Sequence, residues 1–506
     1  MYICNRFNEG GSEAGMLRFA GVRQGWMLSR PQDLSDIQWR SFRSGMPILA
    51  AFFASFCLLN VSMKQLVKYE QRIHVLSMVC VLFLFVVHGP RTVFLLALMM
   101  CSFVISRFFA GKKLCPLWIW TFACLSLVLA RLNNGFSLGP FGLNSLDNTL
   151  ESAQWHITYN LVVLRLISFG MDMHWNKLNL TGKEGKTRCR LDAPRLLPER
   201  RYRAGMFLLY VAYPPLYLTG PIISYDDFAD QFLANDRKGN LSIRFVTLYG
   251  IRLAFTFLLL EAMTHFFYFN AIAKSGAWKP LYANFGPKEI GLTGFWTLFF
   301  MWMKFLCIWR FARFWALVDG IDTVENMRHC LVNNYDIESF WKSWHASYNR
   351  WLVRYMYVPL GGRTWRVVNV WPIFTFVALW HDLEVRLLGW AWIICLFILP
   401  EVLVKHWAQH SANSKLKHRW WFSVARGFLS SMYISVLMTA NLAGFVLGVD
   451  GLRHFMRSLF TKDGIPFLLG SYATFYVASQ FAYLFRNHRI RHPDASSKAV
   501  LSRWIT

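Results

Sequence analysis

The run VLSMVCVLFLFVV, from Val75 to Val87, contains no charged residue. Neither does PILAAFFASFCLL (Pro47–Leu59) before it or TVFLLALMMCSFVI (Thr92–Ile105) after it. These runs are continuously apolar, whereas the strands of a membrane β-barrel alternate, so a barrel is excluded. Inside a bilayer the remaining way to satisfy the backbone is the α-helix. Working outward, further apolar spans lie over 116–131, 206–223, 243–272, 291–318, 386–404, 422–449 and 465–485, and a shorter one over 370–381. The last falls short of the ~20 residues that cross a hydrocarbon core and reads as re-entrant. The expectation is an all-α polytopic membrane protein, a helical bundle with about ten or more transmembrane helices plus re-entrant segments.

Composition agrees. Of 506 residues, 55% are hydrophobic and only 16% charged, against about 25% charged in soluble domains. Soluble enzymes, disordered chains and disulfide scaffolds are thereby excluded. The 54 Lys and Arg outnumber the 28 Asp and Glu by 26, but they sit mostly in short segments between apolar runs. Cytoplasmic flanks and anionic headgroups account for that pattern, and nucleic acid is not expected as a partner. The ten cysteines show no CxxC pair and mostly stand singly in apolar runs, so neither a disulfide framework nor a zinc site is indicated.

The organisation reads as a polar segment over 1–46, one membrane domain over 47–485 and a basic tail over 486–506. No signal peptide is evident, so the first apolar helix serves as the insertion signal. Lys64, Lys68 and Arg72 follow the first span, and Arg107, Lys112 and Lys113 follow the third. Those loops are expected in the cytoplasm and the N-terminus in the lumen. The segment Trp155 to Gly170 reads as an interfacial amphipathic helix, and 183–203 as a basic loop against headgroups. Asn179 and Asn240 open sequons for glycosylation. No internal repeat is visible, unlike many transporters.

Ionisable residues at membrane depth are costly and therefore point to function. They concentrate between 304 and 384. Lys304, Arg310, Arg313, Asp319 and Asp322 close one apolar span, SFWKSWHASYNRWLVRYMYVPLGGR runs from Ser339 to Arg363, and TFVALWHD runs from Thr375 to Asp382. In the middle segment Trp341, Trp344, Tyr348, Trp351 and Tyr355 recur at three- and four-residue steps, which predicts one helix. On it His345 shares a face with Asn349, and Arg350 with Arg354. Pro359, Gly361 and Gly362 end it in a turn. His381 closes its apolar run, where partial desolvation keeps an imidazole neutral and suits a general base.

The segment FWKSWHASYNRWLVRYMYVPLGG followed by ALWH resembles the motif of the membrane-bound O-acyltransferase superfamily: a polar residue in an aromatic, basic helix, then a His preceded by Trp. The spacing here is 36, from His345 to His381. DLSDIQWRSFR (Asp33–Arg43), YPPLYLTGPIISYDDF (Tyr213–Phe228) and FWALVDGIDTVENMRHCLVNNY (Phe314–Tyr335) resemble a subgroup named for glycerol uptake, relatives of Hedgehog acyltransferase. Two departures stand out. Asp382 follows the histidine where many superfamily members have Gly. Relatives also carry a transmembrane helix before the first of these segments, where this chain is polar.

The resemblance implies an acyltransferase with His381 and His345 as catalytic residues and acyl-CoA as donor substrate. Arg350, Arg354, Arg310 and Arg313 are candidates for the CoA phosphates. Cys330 stands where Hedgehog acyltransferase has a haem-binding cysteine, so the resemblance implies a haem thiolate there. It further implies lipid substrates, a lyso-glycosylphosphatidylinositol (GPI) anchor as acceptor, and the endoplasmic reticulum membrane. Protein partners are not legible. A polyol (glycerol) transporter, a protein acyltransferase and a non-catalytic acyl-binding regulator stand as alternatives.

Overall fold

In the computed structural model the described residues are 21–143, 155–180, 202–234, 241–276, 285–409 and 419–491. The loop expected over 183–203 lies almost wholly outside them, and so does Asn240 of the second sequon. Asn179 ends a described helix, but its side chain is not among the described ones.

The chain opens with a short antiparallel hairpin, β1 (Val22–Gln24) and β2 (Pro31–Asp33). Four long helices follow: α1 (Ile37–Leu66), α2 (Tyr69–His88), α3 (Thr92–Phe109) and α4 (Cys115–Leu132). The first helix starts at the Asp36 cap, whose carboxylate accepts from the Trp39 N–H at 2.7 Å. It therefore begins ten residues before the end of the segment read as polar and carries Pro47 within it. Its Arg43 side chain finds a partner in Glu261 at 2.8 Å.

Next come α5 (Trp155–Leu180), α6 (Ala204–Val211), α7 (Pro214–Tyr217), α8 (Tyr225–Ala234), α9 (Ile243–Phe266), α10 (Phe269–Ser275) and α11 (Pro287–Val318). The second half holds α12 (Ile337–Ser343), α13 (Ala346–Leu352), α14 (Arg366–His381), α15 (Val385–Gln409), α16 (Trp420–Phe445), α17 (Gly448–Leu459) and α18 (Gly464–Arg491). Among the described residues, seven stretches are long and apolar enough to cross a membrane: α1, the α2–α3 pair, α4, α9, α11, Leu387–Val404 and α16. Among the described residues the bundle is all-α apart from the hairpin.

Three sequence expectations change. The stretch 155–170 is no interfacial helix. It is the start of α5, buried among α3, α4 and α6, and Tyr159, the Asn160 amide N–H, Arg165 and Ser168 on it all meet partners inside. Arg165 donates to the Val211 carbonyl at 2.6 Å and to that of Leu216, which frees it to sit in the core.

The span 206–223 is not one crossing helix either. Pro214 and Pro215 break it into α6 and α7, and Arg165 takes up the carbonyls the break leaves over. Third, the aromatic segment 339–363 is not continuous. It is α12, a reversal at Trp344–His345, α13, and a π-helical turn over Val353–Tyr357.

Candidate active site

The interruption of that helix is where the site is built. His345 sits in left-handed backbone, φ +47° and ψ +50°, a conformation that costs a non-glycine residue about 1–2 kcal/mol. Asn326 holds it there. The Asn326 carbonyl accepts from the Ala346 N–H at 3.0 Å, and its side-chain oxygen accepts from the Ser347 N–H, also at 3.0 Å. The Arg328 N–H closes the bracket onto the Ser343 carbonyl at 3.2 Å. Backbone strain fixed by its surroundings in this way is characteristic of functional positions.

Above the reversal, the His345 ring lies flat on Trp309 of α11, with ring centroids 4.5 Å apart. Among the described residues its Nε2 has no hydrogen-bond partner, and neither has the hydroxyl of Tyr348, one turn on. Tyr348 in turn packs on Trp380, centroids 4.4 Å apart.

His381 is positioned by the end of α14. The Asn160 amide donates to the Trp380 carbonyl at 2.5 Å, and the Trp380 indole donates back to the Asn160 carbonyl at 2.7 Å. The Arg131 guanidinium reaches the His381 carbonyl at 3.4 Å. Trp380 therefore stands between the two histidines, 6.2 Å from the His345 ring and 4.8 Å from that of His381. Desolvation by these rings pushes the His345 pKa down to about 3, with His381 adding to it. His381 goes down to about 4, with Arg131 adding to the effect of burial. Both imidazoles are neutral near pH 7 and can accept a proton.

Both histidines lie in the wall of one cavity of about 1160 Å³, above the roughly 300–1,000 Å³ of small-molecule pockets. His381 presents accessible surface although protein surrounds it, because that surface faces the cavity. The walls are mainly apolar, from α11, α14, α15, α16 and α18. The ends are polar. One end holds Glu338, Lys342, Arg363 and Arg366; the other holds Asp36, Gln38, Asn270, Lys274 and Lys304.

These ends lie on opposite sides of His345. Just past the C-terminal end of α11, the Asp322 N–H bonds to Gln231 of α8 at 2.7 Å, and Asp226 of α8 bonds to Arg354, which leads into the basic turn. Lys304 lies on α11 on the N-terminal side of Trp309.

The four arginines expected at the CoA phosphates lie elsewhere. Arg310 and Arg313 pair with Glu325 at 3.0 and 2.6 Å, and Arg313 also with Asp322. Arg354 bridges Asp172 and Asp226 at 2.9 and 3.1 Å, and Arg350 lies 3.5 Å from Asp227. None of the four lines the cavity. They pair with carboxylates, of which Asp172 and Asp226 are buried and Asp227, Asp322 and Glu325 partly exposed.

Cys330 is a half-buried free thiol packed against the cluster around Trp39 and Met303. The cavity wall is formed by its neighbours Leu331 and Val332, not by Cys330. This packing does not fit a haem macrocycle on the cysteine, and no step below uses one.

Sequence reading missed Trp309, Asn326, Asn160, Arg363 and Arg366 as site residues. Asn326 and Arg363 lie within segments singled out above, but neither shows a periodicity that marks it.

Comparison with known proteins now has a geometry to explain. Residues 143–443 match the model of the membrane-bound O-acyltransferase family, MBOAT. The chain is 33% identical to membrane-bound O-acyltransferase GUP1 of Saccharomyces cerevisiae, over 93% of this chain and 85% of the relative. It is equally identical to gup1 of Schizosaccharomyces pombe, over 92% and 82%. Mouse protein-cysteine N-palmitoyltransferase HHAT is 25% identical over 36% of this chain and 37% of its own. The chain belongs to the membrane-bound O-acyltransferase family and is a membrane-embedded acyltransferase.

Proposed function

We propose that the protein moves a long-chain fatty acyl group from acyl-CoA to a hydroxyl of a lyso-GPI anchor, remodelling the anchor in the endoplasmic reticulum membrane. The observation that carries the transfer reaction is one mainly apolar cavity with two neutral histidines in its wall and a cationic turn at one end. The acceptor and the compartment rest on the sequence resemblance.

Lys342 and Arg366 both bond to one carboxylate, Glu338, at 2.7 and 2.8 Å, and Arg363 lines the same cavity. The end therefore keeps net positive charge for the CoA phosphates. From Arg366 to His381 the helix advances by about 22 Å at 1.5 Å per residue. An extended pantetheine arm, about a dozen bonds of 1.3–1.5 Å, spans roughly 15–18 Å. Arginine side chains reaching into the cavity make up the difference, so phosphates at the turn place the thioester near the histidines.

His381 takes the proton of the attacking hydroxyl as the oxygen bonds to the thioester carbonyl carbon. The tetrahedral adduct collapses, the C–S bond breaks and CoA leaves as thiolate, which takes up a proton. Such a base contributes about 10²–10⁴-fold. His345, its Nε2 unpartnered, orients the substrates or, as the N–H tautomer, donates to the carbonyl oxygen as charge develops. Alignment of two amphiphiles in a water-poor passage supplies the rest. No acyl-enzyme is required.

The test is transfer of labelled palmitate from palmitoyl-CoA to a lyso-GPI by the purified protein in nanodiscs, beside GPI lipidomics of cells lacking it. Transfer that His381→Ala abolishes, with lyso-anchors accumulating in the cells, is the expected result. Transfer by His381→Ala within threefold of wild type, or unchanged anchors, overturns the reading.

A further inference from the structure

The polar end of the cavity opposite the basic turn has no part in the mechanism above. Lys304 is almost fully buried, its side chain 7% exposed, and pairs with Asp36 at 2.9 Å. Asp36 is also the cap of α1. Lys274 donates to the Ser35 carbonyl at 2.5 Å and has no carboxylate partner among the described residues. The Asn270 amide and the exposed Gln38 side chain make no hydrogen bond to protein among the described residues, and both lie in the cavity wall. Asp33, the other nearby acid, is turned away. Its carboxylate accepts from the Ser35 hydroxyl and N–H and from the Ala271 N–H, and it does not line the cavity. The cavity thus ends in two ammonium groups, two uncommitted amides and one carboxylate.

A fatty chain gives no reason to bury an ammonium group here; a buried charge is costly unless paired. One carboxylate for two lysines leaves a positive excess, and amide donors beside it suit phosphate oxygens. The position suits the acceptor. From Trp309, which carries His345, to Lys304 the helix runs back about 7.5 Å, and a lysine side chain shortens that distance further. In a lysoglycerophospholipid only a short carbon chain separates the phosphate from the free glycerol hydroxyl.

We infer that Lys304 and Lys274, with Asn270 and Gln38, bind the phosphate of a lysoglycerophospholipid acceptor and so select it over uncharged glycerolipids. This inference rests on the proposed acyl transfer to a glycerol hydroxyl. It adds a phosphate site at the end of the cavity away from the donor.

The test compares lysophosphatidylinositol with monoacylglycerol as acceptors. Lys304→Met is combined with Asp36→Asn, which removes the bare carboxylate yet keeps a side-chain cap. Lys274→Met and Lys304→Arg are the companion variants. The ratio of kcat/KM for the phospholipid to that for monoacylglycerol is expected to fall at least tenfold in the Met variants and to be largely kept in Lys304→Arg. The KM for acyl-CoA should stay within twofold. An unchanged ratio overturns the inference, and so does a rise confined to the acyl-CoA KM, which would give the lysines to the donor phosphates. A second arm measures equilibrium binding of lysophosphatidylinositol to His381→Ala protein in uncharged detergent, with and without the lysine substitutions. If neither lipid is acylated by wild type, the acceptor reading fails and this arm decides alone: tenfold weaker binding supports the phosphate site, and equal binding removes it.

Discussion

His345 and Trp309 stack with their ring planes 14° apart. Because the backbone at His345 is left-handed, the ring is fixed from both sides, by the turn below and the indole above. Trp309→Leu leaves apolar bulk but no flat platform. We expect kcat to fall about tenfold with the KM for acyl-CoA within twofold, measured on purified protein in nanodiscs. A change confined to KM would show that the stack positions substrate and not the imidazole.

Asn326→Ala removes the side-chain acceptor of the Ser347 N–H and leaves that buried donor unsatisfied, a cost of about 1–3 kcal/mol. The local reversal then relaxes toward ordinary helix. Activity should drop at least tenfold, and thermal unfolding should move down by a few degrees. Asn326→Asp, which keeps an acceptor at the same place, should recover most of the unfolding temperature. Equal loss in both variants would rule out the hydrogen bond as the cause.

The pH dependence follows from the low His381 pKa of about 4. A base whose pKa is depressed stays unprotonated as pH falls. The single-turnover rate with saturating substrates is therefore expected to be flat from pH 8 down to about 5.5 and to decline only below that. A decline centred near 6.5, the ordinary histidine value, would mean that His381 is hydrated and not desolvated in the working enzyme.

The arginines separate into two classes by experiment. Arg363→Gln with Arg366→Gln should raise the KM for acyl-CoA about fivefold or more and leave unfolding little changed. Arg354→Gln should do the reverse. It strands the Asp172 and Asp226 carboxylates, both almost fully buried, and breaking such a pair costs about 3–5 kcal/mol. Lower yield and a lower unfolding temperature are the expected outcome, with a normal acyl-CoA KM in whatever protein folds.

Membrane class and helical architecture were legible because continuous apolar runs are local signals, and the long motif marked His345 and His381, which the fold brings to the wall of one cavity. The failures share one cause. Tyr348, Trp351 and Tyr355 do recur on a helix, but Trp344 and His345 break the rhythm because Asn326, nineteen residues before His345, holds the N–H groups of Ala346 and Ser347 just after them. Periodicity cannot show that. Arg350 and Arg354 look like free cations in the sequence, since Asp172, Asp226 and Asp227 lie 120 residues or more away along the chain. Arg363 reads as one more basic flank until the fold turns it onto the cavity. The span 206–223 is apolar enough to cross a membrane, and only its proline pair hints that it does not.

The arrangement of the cavity, with its cationic turn and its lysine end on opposite sides of the histidines, bears on how the two substrates meet. In the proposed transfer, a donor held at the cationic turn and an acceptor held at the lysine end keep their headgroups at opposite ends of one cavity, and only the acyl group crosses between them.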